Sequence, residues 1–190
     1  MKAASVNVIA TMTATRIVAE RLDLASMSPR LIEALLAGRR DEASSLGGFA
    51  IPADWPDEHD ARFLRLRLDQ MRNDPSTQEW LARAMVLRGA RGADPRMVGH
   101  IGFHGPPIDG WVEIGYTVLA PYRRQGYAEE SVRAMMRWAR EEHHVRRFRL
   151  SIGPDNEPSL ALARKLGFRK IGEQDDLEDG LEYVFDLVLG

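Results

Sequence analysis

The stretch 118–128, VLAPYRRQGYA, gathers residue types suited to holding phosphate. An alternating segment ends at Val118, and a loop carries Pro121. Arg123, Arg124, Gln125, Gly126, Tyr127 and Ala128 then lead into a long amphipathic pattern. Gly126 has no Cβ to keep a ligand off the backbone. The first N–H groups of a helix lack internal partners, and the helix dipole adds partial positive charge there, so such an end accepts anions. Arg123 and Arg124 add full charges. The same residues also suit an ordinary strand-to-helix turn with two solvated arginines. A second stretch opens with Asn156, Glu157, Pro158 and Ser159. Asn156 fits a helix N-cap and Pro158 the first turn, while Gly167 fits the left-handed position beyond the last turn. Ser159, Leu162, Ala163 and Leu166 share a face at helical spacing, which points the hydroxyl inward or along a sheet. A first-turn serine bonded to backbone is the plainer reading.

These stretches need elements to position them. Residues 16–24 (RIVAERLDL) read as a strand. Ser28-Pro29 opens a helix with Leu31, Ile32, Leu35 and Leu36 on one face and Gly38 past its end. Gly47, Gly48, Pro52 and Pro56 mark 44–57 as a loop. Asp57 caps a helix to about Arg72, whose broad apolar side holds Phe63, Leu64, Leu66, Leu68 and Met71. Strands follow at 80–87, 97–103 and 111–118. In the last, Val112, Ile114, Tyr116 and Val118 alternate with Glu113, Gly115 and Thr117. A helix over 126–142 buries Ala128, Val132, Met135, Met136 and Ala139. A strand at 147–152, a helix at 156–166 and strands at 168–173 and 183–189 complete the chain. The central antiparallel meander followed by β-α-β-α-β predicts a mixed sheet with helices packed on it, in one domain.

Composition narrows the field. The chain has 190 residues, 44% hydrophobic and 28% charged, which excludes a disordered or fibrous protein. With 26 basic and 28 acidic residues the net charge is −2, so nucleic-acid binding through bulk charge is not expected. The absence of cysteine excludes disulfides, a thiolate nucleophile and cysteine metal sites. No apolar run reaches the length of a membrane span. Residues 3–14 are broken by Ser5, Asn7 and two threonines and match a secretory signal poorly, so 1–14 reads as a flexible leader and the protein as cytoplasmic. His143 and His144 are adjacent rather than spaced as a zinc pair, and no metal is expected.

Taken together, Arg123-x-x-Gly126-x-Ala128 and Asn156-x-x-Ser159, followed by Ala163-Arg164-Lys165-Leu166-Gly167-Phe168, resemble the GNAT acyl-CoA N-acetyltransferase superfamily. Glu113-Ile114-Gly115-Tyr116 looks like that family's fourth strand. Residues 16–24 look like the opening strand of its RimJ/RimL-like branch. The resemblance covers about 15–189 and implies one GNAT-like α/β domain of the α+β type over 15–190. Such a domain has a mixed, mostly antiparallel central sheet with helices on both faces.

The resemblance further implies direct transfer of acetyl from acetyl-CoA to a primary amine, either a protein N-terminal α-amine or a small molecule. Residues 123–128 and Asn156 would hold the cofactor, Glu113 would help deprotonate the amine, and Val118 or its neighbour would offer a backbone N–H to the thioester oxygen. His104 is a second candidate base. Many members place a tyrosine in the last helix to protonate the leaving thiolate. Ala163 stands there in this sequence, and RimL-type members carry a serine where Ser159 stands, which implies that Ser159 meets the cofactor and orients its sulfur or a water rather than fully protonating it. Seven acids and no base lie between residues 173 and 186, a solvated turn or an attractor of cationic substrate. Phe49 and Trp55 either line an acceptor groove or anchor a loop. A non-catalytic acyl-CoA-binding module is the alternative function. The acceptor and the oligomeric state stay open, a dimer included.

Overall fold

The computed structural model describes residues 15–89, 92–176 and 180–190. The leader read at 1–14 lies outside them. Eight strands form one sheet in the order β1-β2-β3-β4-β5-β6-β8-β7. They are β1 (Arg16–Val18), β2 (Leu22–Ser26), β3 (Arg83–Leu87), β4 (Arg96–Phe103), β5 (Trp111–Val118), β6 (Arg147–Ile152), β7 (Arg169–Asp176) and β8 (Gly180–Val188). Only β5 and β6 run parallel; every other neighbouring pair is antiparallel. The helices are α1 (Pro29–Leu36), α2 (Arg40–Gly47), α3 (Glu58–Asn73), α4 (Tyr127–His143) and α5 (Glu157–Leu166).

Two apolar clusters cover the two faces. Met85 of β3 joins residues of α4 and α5, such as Val132, Met135, Leu160 and Ala163. Its neighbours Ala84 and Val86 join Leu31, Ile32, Leu64 and Leu68 of α1 and α3. Alternate side chains of a strand point to opposite faces, so a buried strand between two helical layers is apolar at every position. Among the described residues, no helix is long and apolar enough to cross a membrane.

The structure differs from the sequence reading at three places. Residues 16–24 are a hairpin rather than one strand: Ala19 N–H donates to the Leu22 carbonyl (2.9 Å) and β1 folds back on β2. The Glu130 carboxylate of α4 accepts the turn's Arg21 and Leu22 N–H groups at 2.6 and 3.0 Å, replacing the ladder bonds that the turn forgoes. The first part of the 44–57 loop is the end of α2, closed by Gly48 at φ 71. On α3 the buried stripe is Asp60, Leu64, Arg67, Leu68 and Met71, while Leu66 is 55% exposed. Phe49 and Trp55, open in sequence between an acceptor groove and a loop anchor, are core residues at 5% and 2% exposure, which favours the anchor.

Candidate active site

The site begins with an interrupted ladder. β5 pairs with β4 from Gly99↔Val118 to Phe103↔Ile114. It pairs with β6 only at Trp111↔Arg147, Val112↔Phe148 and Glu113↔Arg149. Beyond Glu113 the two parallel strands separate into a wedge. Toward β4, His104 N–H bonds the Glu113 carbonyl and Leu119 N–H bonds the Val98 carbonyl, each at 2.9 Å. Antiparallel ladders alternate hydrogen-bonded and non-bonded pairs. Tyr116 and Val118 therefore turn their backbone groups the other way, toward the missing β6 partner, while Ile114 closes the last parallel pair, Glu113↔Arg149.

Both strands feed helices whose N-termini flank the wide end of the wedge, the usual ligand position in open parallel sheets. At α4 the N-cap is Gly126, φ 83, with no side-chain cap. The first helical bond runs from Glu130 N–H to the Gly126 carbonyl (3.1 Å), so the N–H groups of Tyr127, Ala128 and Glu129 have no helical acceptor. Arg123 Nε donates to the Val118 carbonyl (3.0 Å), which fixes the loop and leaves the Val118 N–H as the strand's last open donor. Arg21 Nη1 holds the Gln125 carbonyl (3.0 Å). Tyr127 packs its ring into the core, so only its backbone faces a ligand. At α5, Asn156 caps the helix by accepting the Ser159 N–H (3.2 Å). The inward face of α5 centres on Leu160 and Ala163, with Ser159 half-buried at its edge.

The wedge opens into a cleft of about 440 Å³. Register partners share a face, so His100, Gly102 and His104 of β4 stand beside Thr117, Gly115 and Glu113 of β5, beneath His59, Phe63 and Arg67 of α3. Glu113 Oε1 accepts the Ser151 hydroxyl (2.6 Å) and lies 3.8 Å from His104 Nδ1. Partial burial, joined by the Arg67 charge, pushes the His104 imidazole below its usual value against the pull of Glu113 and Asp176. The ring is thus neutral near pH 7. A Cβ on Gly115 would come within 3.0 Å of His104 Nε2, so the glycine makes room for the ring. Arg67 is 6% exposed and donates from Nη1 to Gln70 (2.8 Å) and to the His104 carbonyl (3.1 Å). Burial pushes its guanidinium down to about 10, although the Glu113 charge favours ionisation.

Glu113, Asn156 and Ser159 line the cleft, and Val118 and residues 123–128 sit at the end of β5 and the start of α4. Of the acidic turn, residues 177–179 lie outside the described residues; the flanking Gln174 and Glu182 bond across the β7–β8 hairpin (3.1 Å). Sequence reasoning missed Arg67, His100 and Tyr116. The Tyr116 hydroxyl is buried without a hydrogen-bond partner within range. Burial raises its pKa, partly offset by neighbouring Ser159. The polar residues inside the α3 stripe were the available signal for Arg67.

Comparisons with known proteins bear on the family and the fold. The family model described as an acetyltransferase (GNAT) domain matches residues 21–169. An N-acetyltransferase 9-like protein of Nematostella vectensis is 44% identical over 64 residues, which cover 33% of this chain and 32% of that protein. The matched stretch thus spans about a third of that relative. A GNAT-family acetyltransferase from Bacillus anthracis superposes with a TM-score of 0.60 at 22% identity, covering 92% of this chain and 98% of its own. The ribosomal alpha-N-protein acetyltransferase RimL in complex with coenzyme A superposes with a TM-score of 0.61 at 19% identity, with 92% and 98% covered. These superpositions show a shared fold, and the family model covers more than half of the sequence. The chain therefore belongs to the GNAT acetyltransferase family, in its RimJ/RimL-like group.

Proposed function

We propose that the protein transfers acetyl from acetyl-CoA to a primary amine. The observation that carries this reading is the wedge between β5 and β6. It has a strand edge of unpaired backbone groups, an uncapped helix N-terminus at one end and a carboxylate at the other. The residues present suit the cosubstrate: the open N–H groups at 127–129 suit a pyrophosphate, and the β5 edge suits an amide-bearing arm. Acetyl-CoA supplies an activated thioester.

The chain's own groups supply the rest. The Val118 N–H, or that of Tyr116 on the same edge, offers a donor where the carbonyl oxygen gains charge. Glu113 draws a proton from the acceptor ammonium, with neutral His104 beside it to order an intervening water. Ser159 stands at the start of α5 to donate to the departing sulfur, and the Tyr116 hydroxyl beside it tightens the same corner. The acceptor is a peptide α-amine or a small amine. Release of free thiol from acetyl-CoA against a panel of peptides and small amines tests the reading. Tight acetyl-CoA binding without turnover on any member would instead favour a non-catalytic acyl-CoA-binding module.

Two smaller changes probe the corners of the site. Ser159→Ala is expected to lower kcat while the KM for acetyl-CoA stays nearly constant, because a bond to sulfur strengthens only as charge forms there. A stable variant with unaltered kcat would remove Ser159 from the reaction. Gly115→Ala is expected to displace the His104 ring and lower kcat by about tenfold, since small misplacements at a reacting centre are costly. Steady-state kinetics alongside a melting curve separate this from a loss of fold.

A further inference from the structure

His100 and Asp60 form a buried pair that borders the cleft and has no part in the scheme above. His100 comes from β4 and is 6% exposed; Asp60 comes from the first turn of α3 and is also 6% exposed. His100 Nε2 lies 3.0 Å from Asp60 Oδ1. Asp60 is held below the usual carboxylate range despite its burial, by the hydrogen bond to His100, by the charges of His100 and His59, and by a backbone contact at Asp57. It is therefore ionised and accepts, so Nε2 carries the proton. Phe63 stacks on the imidazole at 4.7 Å, and Trp55 tilts against it at 6.1 Å. The ring orientation is thus fixed from three sides. Nδ1 has no hydrogen-bond partner among the described residues and is not among the fully enclosed polar atoms, and the residue lines the cleft.

Register supplies the position. His100 pairs with Thr117, next to Tyr116 and Val118, whose backbone N–H groups line the wedge. Glu113 lies four residues back along the same face.

We propose that His100, oriented by Asp60, is a second proton acceptor for the amine, placed level with the reacting carbonyl. This rests on the acetyl-transfer reading. Glu113 takes the first proton of the acceptor ammonium, which gains a nucleophilic lone pair. The nitrogen then forms the bond to the acetyl carbon as the carbon–sulfur bond breaks. His100 Nδ1 takes the proton shed by the attacking nitrogen, the imidazolium passes it on through solvent to the thiolate, and Glu113 returns its own to solvent. The Asp60 charge stabilises the imidazolium throughout, as the buried aspartate of a hydrolase triad does. Asp60 is a positioning residue.

His100→Gln keeps an amide donor toward Asp60 and removes the basic nitrogen. Its kcat is expected to fall by about 10²-fold, with melting temperature and acetyl-CoA affinity unchanged. Asp60→Asn supplies an independent readout and carries the test if His100→Gln does not fold. Without the negative charge the imidazolium is less favoured, so the acid limb of kcat moves to lower pH. The other titratable groups that line the cleft are His59 and Arg67 of α3, His104 of β4, Glu113 of β5, Tyr116 on the opposite face of β5, and Glu182 of β8, and the variant leaves all of them in place. Wild-type kcat in a folded His100→Gln variant, or an unmoved acid limb in Asp60→Asn, overturns the role. A wild-type protein that releases no thiol with any amine overturns the acetyl-transfer reading instead.

Discussion

Replacing Glu113 by glutamine is expected to lower kcat by about 10²-fold near neutral pH, the scale of general-base assistance. Glutamine keeps the size of the side chain and a carbonyl oxygen for the Ser151 hydroxyl, which now donates to Oε1 at 2.6 Å. It removes the charge that faces the Arg67 and Arg149 guanidinium groups. The fold should therefore survive and the chemistry suffer. The deficit should narrow as pH rises, because α-amines near pKa 8 lose their protons to solvent unaided. A pH–rate profile of wild type and Glu113→Gln, taken with a peptide α-amine, measures both the depth and the closing of the gap. Superimposable profiles would leave Glu113 as a wall residue.

Gly126→Asn is expected to weaken acetyl-CoA at least about tenfold, roughly 1.4 kcal/mol, while the domain stays folded. Valine is the harsher choice. Gly126 sits at φ 83, where a β-branched residue is strained, and its added Cβ would also approach Arg21 Nη2 at 3.3 Å. Valine would mix lost binding with lost stability. Asparagine tolerates the left-handed region and still sets a side chain in front of the open N–H groups of α4. Calorimetric titration with acetyl-CoA and a melting curve on the same sample give the two quantities separately. Wild-type affinity in the folded variant would move the phosphate site away from the start of α4.

The parts legible in the sequence were those with short-range signatures. Gly126 before an amphipathic run marked the start of α4, Asn156 and Gly167 bracketed α5, and the alternation around Glu113 marked β5. The β1–β2 turn carries no glycine, proline or asparagine. Its N–H groups are satisfied by Glu130, more than a hundred positions away, so nothing local announced it. The same holds for His100. Its partner Asp60 is 40 positions away in sequence, and the residue sits in an apolar strand that offers no sign of a polar neighbour across the core. Phe49 and Trp55 stay open in the sequence. An aromatic in a glycine- and proline-rich loop reads equally as a groove wall or as an anchor, and only their burial against α1 and α3 decides.

The wedge also bears on how firmly the protein holds together. A three-pair seam, Trp111 to Glu113 against Arg147 to Arg149, joins the β1–β5 half of the sheet to the β6–β8 half. An arm lying along Tyr116 and Val118 would act as a removable ninth strand. Free energy gained on binding the native state adds directly to folding stability, about 2.7 kcal/mol at a ligand concentration a hundredfold above Kd. The amide protons of Tyr116 and Val118 should then exchange rapidly in the free protein and slow together on saturation. On the acetyl-transfer reading, the folded population would thereby be coupled to the supply of the cosubstrate.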